Sequence, residues 1–435
     1  MSTVSTLSTA ALSSSRWRHI IPVAFVTYTF AYVDRSNYSL GAAGGLTRDL
    51  HITAATAGLL GALFFLGYFF FQIPAAHFAE HRSVRTLMFW SLIGWGIFAS
   101  AQGVIPWVPL LMVDRFLLGV VEAAVIPAML IFLVHWFTNR ERGRADTFLI
   151  LGNPVTVLWM SALSGYLIAA TSWRWMFIIE GAPAIIWAFV FRALVVDLPK
   201  DAAWLDKSEK AAVTKALDSE QSGMPLATGY WAAFRQVNVI LLAVQYALWS
   251  VGVYGFVLWL PSIIKFGSKQ GIGNTGLLSA VPYALAIVLM LLVSYFSDRS
   301  GRRIAFVVPF LALGAVAFYV SYLVGARSFP VSFVLLIIAG GAMYAPYGPY
   351  FALIPELLPR ATAGAAMALV NSFGALGGFA GAYLVGYLVG SRQEGAAFVV
   401  MAACLAGAAV LMLPIRRPRI REASIAVVSG RPSHA

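Results

Sequence analysis

The sequence is a succession of long apolar runs separated by shorter polar segments. A helix needs about 20 predominantly apolar residues to cross a bilayer, and we identify twelve such runs. They lie at about residues 20–40, 55–78, 86–104, 108–137, 145–170, 173–195, 239–265, 275–296, 304–324, 331–353, 362–390 and 396–414. The pattern predicts an all-α membrane protein with twelve transmembrane helices, which we number as spans 1 to 12 in chain order.

One polar segment, residues 197–236, is longer than the others and divides the spans into two groups of six. It holds six acidic and five basic residues, with helical spacing over residues 208–220. We predict an N-terminal bundle over residues 20–196, a cytoplasmic linker over 197–236 and a C-terminal bundle over 237–415. The tail of residues 1–19 and the basic tail of residues 416–435 are both assigned to the cytoplasm.

The distribution of Lys and Arg predicts the orientation, because cytoplasmic segments carry an excess of these residues. With both termini inside, twenty-two of them fall in inner segments, six in outer segments and two within the spans. The net charge of +12 then forms a cytoplasmic surface that attracts anionic lipid, and no nucleic-acid partner is needed to explain it. We expect a multi-pass protein of the plasma membrane, in bacteria the inner membrane.

The composition excludes several classes of protein. Only 11% of the residues are charged, against about 25% in soluble domains. A single cysteine, Cys404, rules out an internal disulfide framework, and the chain contains no CxxC or HExxH metal motif. We find no nucleophile–base pair either, so we expect neither an enzyme nor a bound metal or cofactor.

An internal repeat supports two related halves. Residues 76–85, after span 2, align with residues 294–303, after span 8, at an offset of 218. Both loops place an acid before bases, and the second resembles the signature loop G-x-L-x-D-R-x-G-R-[KR] of the major facilitator superfamily. The first copy departs from it at Glu80, His81 and Ser83. The resemblance implies a gate on the inner side, with candidate residues Glu80, Arg85, Asp298, Arg299, Gly301 and Arg302.

The sequence allows two interpretations of these loops. Each could be a positive-inside turn and nothing more. Alternatively, Asp298 and Arg299 tie span 8 to span 11 on the inner side, and the degenerate first copy leaves its own contribution undecided.

Charged residues within the spans are the candidates for chemistry, because such residues usually face a cavity or find a partner. Span 1 contains Asp34 and Arg35, and span 4 contains Arg115 and Glu122. Seven residues are nearly two helical turns, so Arg115 and Glu122 share one face. At about 1.5 Å of rise per residue, Asp34 and Arg115 lie at one level and Glu122 lies deeper. We predict that Asp34 pairs with Arg115, leaving Arg35 facing the cavity and Glu122 without a cation at its level.

These groups suit the transport of an anion. A guanidinium in a low-dielectric cavity binds carboxylate or phosphate bidentately, and burial disfavours the charged form of a carboxylate. Glu122 is therefore a candidate proton carrier. The alternative is that these charges form a permanent ion-pair network. The interiors of spans 8 to 12 contain no Asp, Glu, Lys or Arg, and a purely structural network would have little reason to appear in one half only. The C-terminal half instead offers neutral groups for hydroxyls or a ring, at Tyr254, Tyr347, Tyr350, Asn371 and Ser372.

Within the superfamily the chain resembles the anion:cation symporters over nearly its whole length. The resemblance rests on YVDRSN at 32–37, GYFFFQIP at 67–74, RFLLGVVE at 115–122, ERGRA at 141–145 and WRWMFIIEG at 173–181. It implies proton-coupled uptake of a sugar acid, dicarboxylate or aromatic acid by alternating access, with Na⁺ as an alternative coupling ion.

The resemblance also implies roles for individual residues. Asp34 and Glu122 would be protonation sites, Arg115 would couple proton to substrate, and Arg35 would bind the substrate carboxylate. Tyr68 and Asn153 would line the pocket. The full set of candidate substrate-binding residues is Arg35, Tyr32, Tyr68, Asn153, Tyr347, Asn371 and Ser372.

Other functions on the same fold fit less well. A drug antiporter would show GxxxGPxxGG on span 5, where this chain has GNPVTV at 152–157. A phosphate exchanger would offer an Arg from each half, and span 7 has none. A non-transporting sensor would need a signalling domain larger than the linker. We expect a monomer whose partners are a small organic anion and membrane lipid.

Overall fold

The computed structural model describes residues 15–221, 235–357 and 360–415, and within these ranges it does not describe the side chains of Asp34, Asn139, Arg140, Gln221, Pro355 and residues 360–365. The basic tail 416–435 and most of the tail 1–19 therefore lie outside the described residues. The long helices are α1 (Ser15–Gly41), α2 (Ala54–His81), α3 (Val84–Ala101), α4 (Val108–Glu122), α5 (Val125–Trp136), α6 (Asn139–Ala170), α7 (Trp173–Leu194), α8 (Lys207–Gln221), α9 (Val237–Ser268), α10 (Ile272–Ser300), α11 (Arg303–Gly325), α12 (Phe329–Tyr344), α13 (Tyr347–Leu357), α14 (Arg360–Gly390) and α15 (Glu394–Leu411).

The predicted all-α membrane fold is confirmed. Eleven stretches of the described chain are long and apolar enough to cross a membrane, and α1, with 27 residues, supplies the twelfth span. The linker helix predicted over residues 208–220 is present as α8. The inside–outside orientation stays a prediction from the Lys and Arg distribution.

Two spans are interrupted near their middle by a short turn, at which Ala123, Ala124 and Ala345 keep right-handed helical backbone angles. Span 4 consists of α4 and α5, with the break at Ala123 and Ala124, and span 10 consists of α12 and α13, with the break at Ala345 and Pro346. The sequence predicted one continuous run in each, because small apolar residues do not interrupt the hydropathy pattern. The breaks occupy corresponding places in the two halves.

Small residues bring the two halves together at one end. Gly58 of α2 faces the Ala382 carbonyl and Gly386 of α14, and Gly165 of α6 faces Gly276 of α10. A Cβ on Gly58 would lie 2.8 Å from the Ala382 oxygen, so only glycine permits this approach. Lys265 Nζ also donates to the carbonyl of Ala43 at 2.5 Å. These contacts lie at the end that the predicted topology places outside.

The two repeat loops turn by different means. Gly301 ends α10 with φ of 64°, a left-handed conformation that glycine adopts without a Cβ penalty. The aligned Ser83 is extended and caps α3, its Oγ accepting from the Thr86 N–H at 3.0 Å. Asp197 accepts from Ser83 Oγ at 2.6 Å and from the Arg85 N–H at 2.8 Å. The first loop is therefore fastened to the segment after α7, within its own bundle.

The predicted tie of Asp298 and Arg299 to span 11 falls on side chains outside those described, at residues 360–365, and stays a prediction. Asp298 pairs with Arg303 at the start of α11, and Arg303 Nε donates to Glu356 Oε1 of α13 at 3.1 Å. These contacts join span 8 to spans 9 and 10. The left-handed turn at Gly301 folds Arg303 back onto the last turn of α10, where it also donates to Ser297 Oγ at 3.2 Å. Among the described ion pairs, none includes the other predicted gate residues Glu80, Arg299 and Arg302.

Candidate functional site

The intramembrane charges of α1 and α4 meet in an ion pair between Arg35 and Glu122. Arg35 Nε lies 2.8 Å from Glu122 Oε1, and Nη2 lies 2.5 Å from the same oxygen. The Arg35 side chain is 7% exposed and that of Glu122 is 0% exposed. The predictions that Arg35 is unpaired and that Glu122 lacks a cation are therefore wrong.

Side-chain direction accounts for the error. The Cα–Cβ bond tilts toward the N-terminus of its own helix. Spans 1 and 4 run antiparallel, so Arg35 and Glu122 lean toward each other from different backbone levels. A depth estimate from helical rise gives the level of the backbone only. It does not include the distance that each side chain extends along the helix axis.

Aromatic rings surround the Arg35 guanidinium. Its Nη1 donates to the Tyr32 hydroxyl at 3.2 Å, and its Cζ lies 4.6 Å from the centroid of the Tyr32 ring, 4.9 Å from Tyr68 and 5.3 Å from Phe64. Cation–π contacts of this length stabilise a guanidinium away from water. The contacts with Glu122 and Tyr32 use three of its five N–H donors, which leaves capacity for a carboxylate at its other edge.

Glu122 uses its two oxygens differently. Oε1 accepts from Nε and Nη2 of Arg35, whereas the buried Oε2 has no hydrogen-bond partner among the described residues. A proton on Oε2 would neutralise the carboxylate without displacing an existing hydrogen bond. The geometry suits a group that gains and loses a proton beside a fixed cation.

Arg115 lies in the same bundle and makes contacts of its own. Its Nε donates to the Leu60 carbonyl at 3.1 Å and its Nη1 to Gln102 Oε1 at 3.3 Å, while its Cζ lies 4.3 Å from the centroid of the Tyr38 ring. The Phe64 ring contacts both cations, with its centroid 5.4 Å from Arg115 Cζ and 5.3 Å from Arg35 Cζ. The predicted pairing of Arg115 with Asp34 falls on a side chain outside those described and stays a prediction.

The C-terminal half supplies an aromatic wall opposite this site. The Tyr347 ring centroid lies 4.6 Å from that of Trp249 and 5.5 Å from that of Tyr344, and Tyr254 packs at 4.4 Å on Phe65 of the N-terminal half. Phe65 in turn packs on Phe64, with 5.1 Å between the ring centroids, and the Phe64 ring lies beside the Arg35 guanidinium. The two halves therefore share one aromatic-lined site around Arg35.

The neutral polar candidates are placed less uniformly. Ser372 Oγ donates to Gln72 Oε1 at 3.2 Å, which joins α14 to α2 across the two halves. The buried atoms Asn153 Oδ1 and Asn371 Nδ2 have no hydrogen-bond partner among the described residues. No described contact brings either asparagine to Arg35, so their substrate-binding roles stay predictions. Gln72 was missed as a site residue, although it lies within the motif at 67–74.

Another buried carboxylate, Glu180 of α7, was also missed. Its Oε2 accepts from Asn37 Nδ2 at 3.0 Å and its Oε1 from Ser164 Oγ at 2.7 Å. No ion pair of the described chain includes it. Glu180 therefore joins α1, α6 and α7 by neutral hydrogen bonds, beside the Gly165–Gly276 contact. The signal was an acidic residue inside span 6, within the motif at 173–181.

We expect Glu180→Leu to lower the thermal stability of the purified protein and Glu180→Gln to preserve most of it. Leucine removes both acceptors, and a lost buried hydrogen-bond partner costs about 1–3 kcal/mol, whereas glutamine keeps one carbonyl oxygen. The measurement is the unfolding temperature in detergent, with Ser164→Ala as the matched single-bond loss. Equal stability of the Leu and Gln variants would contradict this role.

Comparison with known proteins supports a membrane transporter of this fold. A family model described as Major Facilitator Superfamily matches residues 24–382 and 272–429. A protein of Agrobacterium vitis named as a tartrate transporter is 30% identical, covering 93% of this chain and 91% of the relative. The D-galactonate transporter of Escherichia coli O6:H1 is 25% identical, covering 87% and 90%. The inward open xylose transporter XylE from E. coli superposes with a TM-score of 0.76 at 15% identity, covering 92% of this chain and 97% of that one.

Proposed function

The chain belongs to the Major Facilitator Superfamily, and we propose that it takes up a small organic carboxylate by symport with protons. It is a multi-pass membrane transporter and not an enzyme. The observation that carries the proposal is the Arg35–Glu122 pair, a buried cation whose present partner is itself a carboxylate. A substrate carboxylate can replace that partner only where the charge of Glu122 is removed or moved away.

Proton binding and anion binding support each other at such a pair. Ionised Glu122 neutralises Arg35 and repels an incoming carboxylate, whereas protonated Glu122 leaves one uncompensated positive charge in the site. A carboxylate then docks on the guanidinium, which binds it bidentately. Because coupling between two binding events is reciprocal, the bound anion in turn favours the protonated state of Glu122.

Arg115 and Asp34 complete the proposal through the family resemblance. Asp34 serves as a second protonation site, and Arg115 transmits its state to the substrate site. Phe64 contacts both guanidinium groups. A movement of one guanidinium would therefore displace the other through this ring.

Alternating access follows from the contacts between the halves. The bundles meet through Gly58 and Gly386 and through Gly165 and Gly276, with Lys265 donating across the same end. We propose that these contacts close the outer side and that they separate when the site opens outward. The Gln72–Ser372 hydrogen bond would then break and reform once in each cycle.

The test is transport by the purified protein in proteoliposomes. With an inside-alkaline pH gradient, we expect labelled D-galactonate or another carboxylate of a panel that includes tartrate and benzoate to accumulate above its equilibrium level. A protonophore should abolish the accumulation, and a Na⁺ gradient should not replace the pH gradient. Protein-free liposomes are the control. Accumulation driven by Na⁺ alone, or no transport of any carboxylate, would overturn the proposal.

A further inference from the structure

We propose that Lys265 captures the substrate anion at the outer opening of the transporter, before the anion reaches Arg35. This inference rests on the proposed function and adds a second anion-binding group to it. It follows from the position of Lys265 along α9, from its hydrogen bond to the other half and from the charges at the same end of the molecule.

Lys265 lies outward of the central site, along one of the helices that meet there. It follows the site residue Tyr254 by eleven residues on α9. Its hydrogen-bond partner Ala43 follows Arg35 by eight residues, in the turn directly after α1. At about 1.5 Å of rise per residue, both partners lie about 12–16 Å outward of the site. The hydrogen bond therefore joins α9 to span 1 at the outer end of the route to Arg35.

An apolar layer lies between Lys265 and Arg35. Tyr38 of α1 and Leu258 of α9 both face Gly61 of α2, where an added Cβ would lie 3.2 Å from the Tyr38 ring and 3.0 Å from the Leu258 side chain. Along their own helices, these two residues stand between the level of the central site and the level of Lys265. An anion that enters from outside between α1 and α9 therefore passes Lys265 before it reaches Arg35.

The contact of Lys265 in the closed state leaves its charge uncompensated. Lys265 Nζ donates to the Ala43 carbonyl at 2.5 Å, and none of the described ion pairs includes Lys265. A carbonyl satisfies one of the three N–H donors of an ammonium and carries no net charge. Separation of α1 from α9 breaks this bond. A carboxylate from the outer solution can then take the place of the carbonyl and compensate the charge as well.

The outer end of the molecule has a positive balance. Its segments hold six Lys and Arg residues but two acids, Asp49 and Glu394, and Asp49 is paired with Arg48 at 3.1 Å. A local excess of one charge raises the concentration of the opposite ion and speeds its association by about 10–10³-fold. The excess thus brings anions to this end, and Lys265 is bonded across the two halves at the opening itself.

The experiment removes the charge of Lys265 and keeps its hydrogen bond. In Lys265→Gln the side-chain amide can still donate to the Ala43 carbonyl, whereas Lys265→Arg keeps the positive charge. Counterflow of labelled tartrate, D-galactonate or benzoate, whichever the wild type transports, is measured in right-side-out and in inside-out membrane vesicles. Lys269→Gln is the matched control, because Lys269 is an exposed lysine four residues further on with no described contact to the N-terminal half.

We expect Lys265→Gln to raise the KM at the outer face about tenfold, as loss of a focusing charge at an opening would, and to leave the KM at the inner face unchanged. The outer KM should also depend less on ionic strength, because salt screens exposed charges. Lys265→Arg should stay close to the wild type at both faces. The unchanged inner KM shows in the same preparation that the variant is folded and active.

Each outcome supports or overturns the inference. A rise of KM confined to the outer face, and absent from Lys269→Gln, supports capture by Lys265. An unchanged outer KM in Lys265→Gln overturns the inference while the proposed function stands. So does a rise at the inner face or a loss of transport at both faces, which would give Lys265 a structural role. An equal rise in Lys269→Gln would assign the effect to the overall outer charge and overturns it too. If the wild type transports none of the three acids, the proposed function fails together with the inference.

Discussion

Replacement of Arg35 by alanine is expected to abolish binding of the transported carboxylate. The guanidinium is the cation of the aromatic-lined site, and removal of one partner from a buried, hydrogen-bonded charge pair costs about 2–5 kcal/mol. Arg35→Lys should restore binding only in part, because an ammonium cannot form the bidentate fork. Ligand affinity of the purified variants, measured by calorimetry, checks this expectation.

The effect of Arg35→Ala on binding must be separated from an effect on folding. The single variant leaves Glu122 buried without its cation, which destabilises the bundle. The double variant Arg35→Ala with Glu122→Gln removes both charges and should recover stability, while binding should stay absent. If either variant binds the substrate within a few-fold of the wild type, Arg35 is not the substrate cation.

Glu122→Gln is expected to uncouple substrate exchange from the pH gradient. Glutamine mimics the protonated carboxyl and leaves Arg35 uncompensated, so the anion should bind and counterflow should continue. Accumulation under an imposed pH gradient should be lost, because the side chain can no longer release a proton. Both assays are run in the same proteoliposomes. Asp114→Asn is the matched control, since Asp114 is a buried acid of the same helix that forms none of the described ion pairs.

Each result of this pair of assays has a consequence. Wild-type accumulation by Glu122→Gln would show that Glu122 does not carry the proton. Failure of both counterflow and accumulation would mean that Glu122 and Arg35 form a permanent structural pair. If Asp114→Asn also loses accumulation, the loss in Glu122→Gln can be caused by replacing any buried acid of α4 and is not specific to Glu122.

The two gate loops show what a local motif predicts and what it does not. The alignment of residues 76–85 with 294–303 correctly identified two turns in equivalent places. It could not identify their partners, because those come from distant parts of the chain: Asp197 for Ser83 and Glu356 for Arg303. The substitution of Ser for Gly at position 83 changed the backbone of the turn, and the motif alone did not indicate how.

Glu180 illustrates a different limit. The sequence alone indicates that Glu180 is energetically costly within the membrane, as any intramembrane acid is. Its partners Asn37 and Ser164 are neutral and lie on other spans, so no search for charges of opposite sign could find them. Neutral hydrogen bonds between helices leave no pattern along the chain.

The sequence by itself determined the class of protein, the number of spans and which charged residues lie within them. These follow from a physical constraint that acts on each segment alone, since every span must be apolar for about 20 residues and each charge within one is costly. Only the tertiary structure decided that Arg35 pairs with Glu122 and that both Arg35 and Arg115 contact Phe64. Pairing depends on where side chains several ångströms long meet across antiparallel helices, and helical rise along one chain does not contain that information.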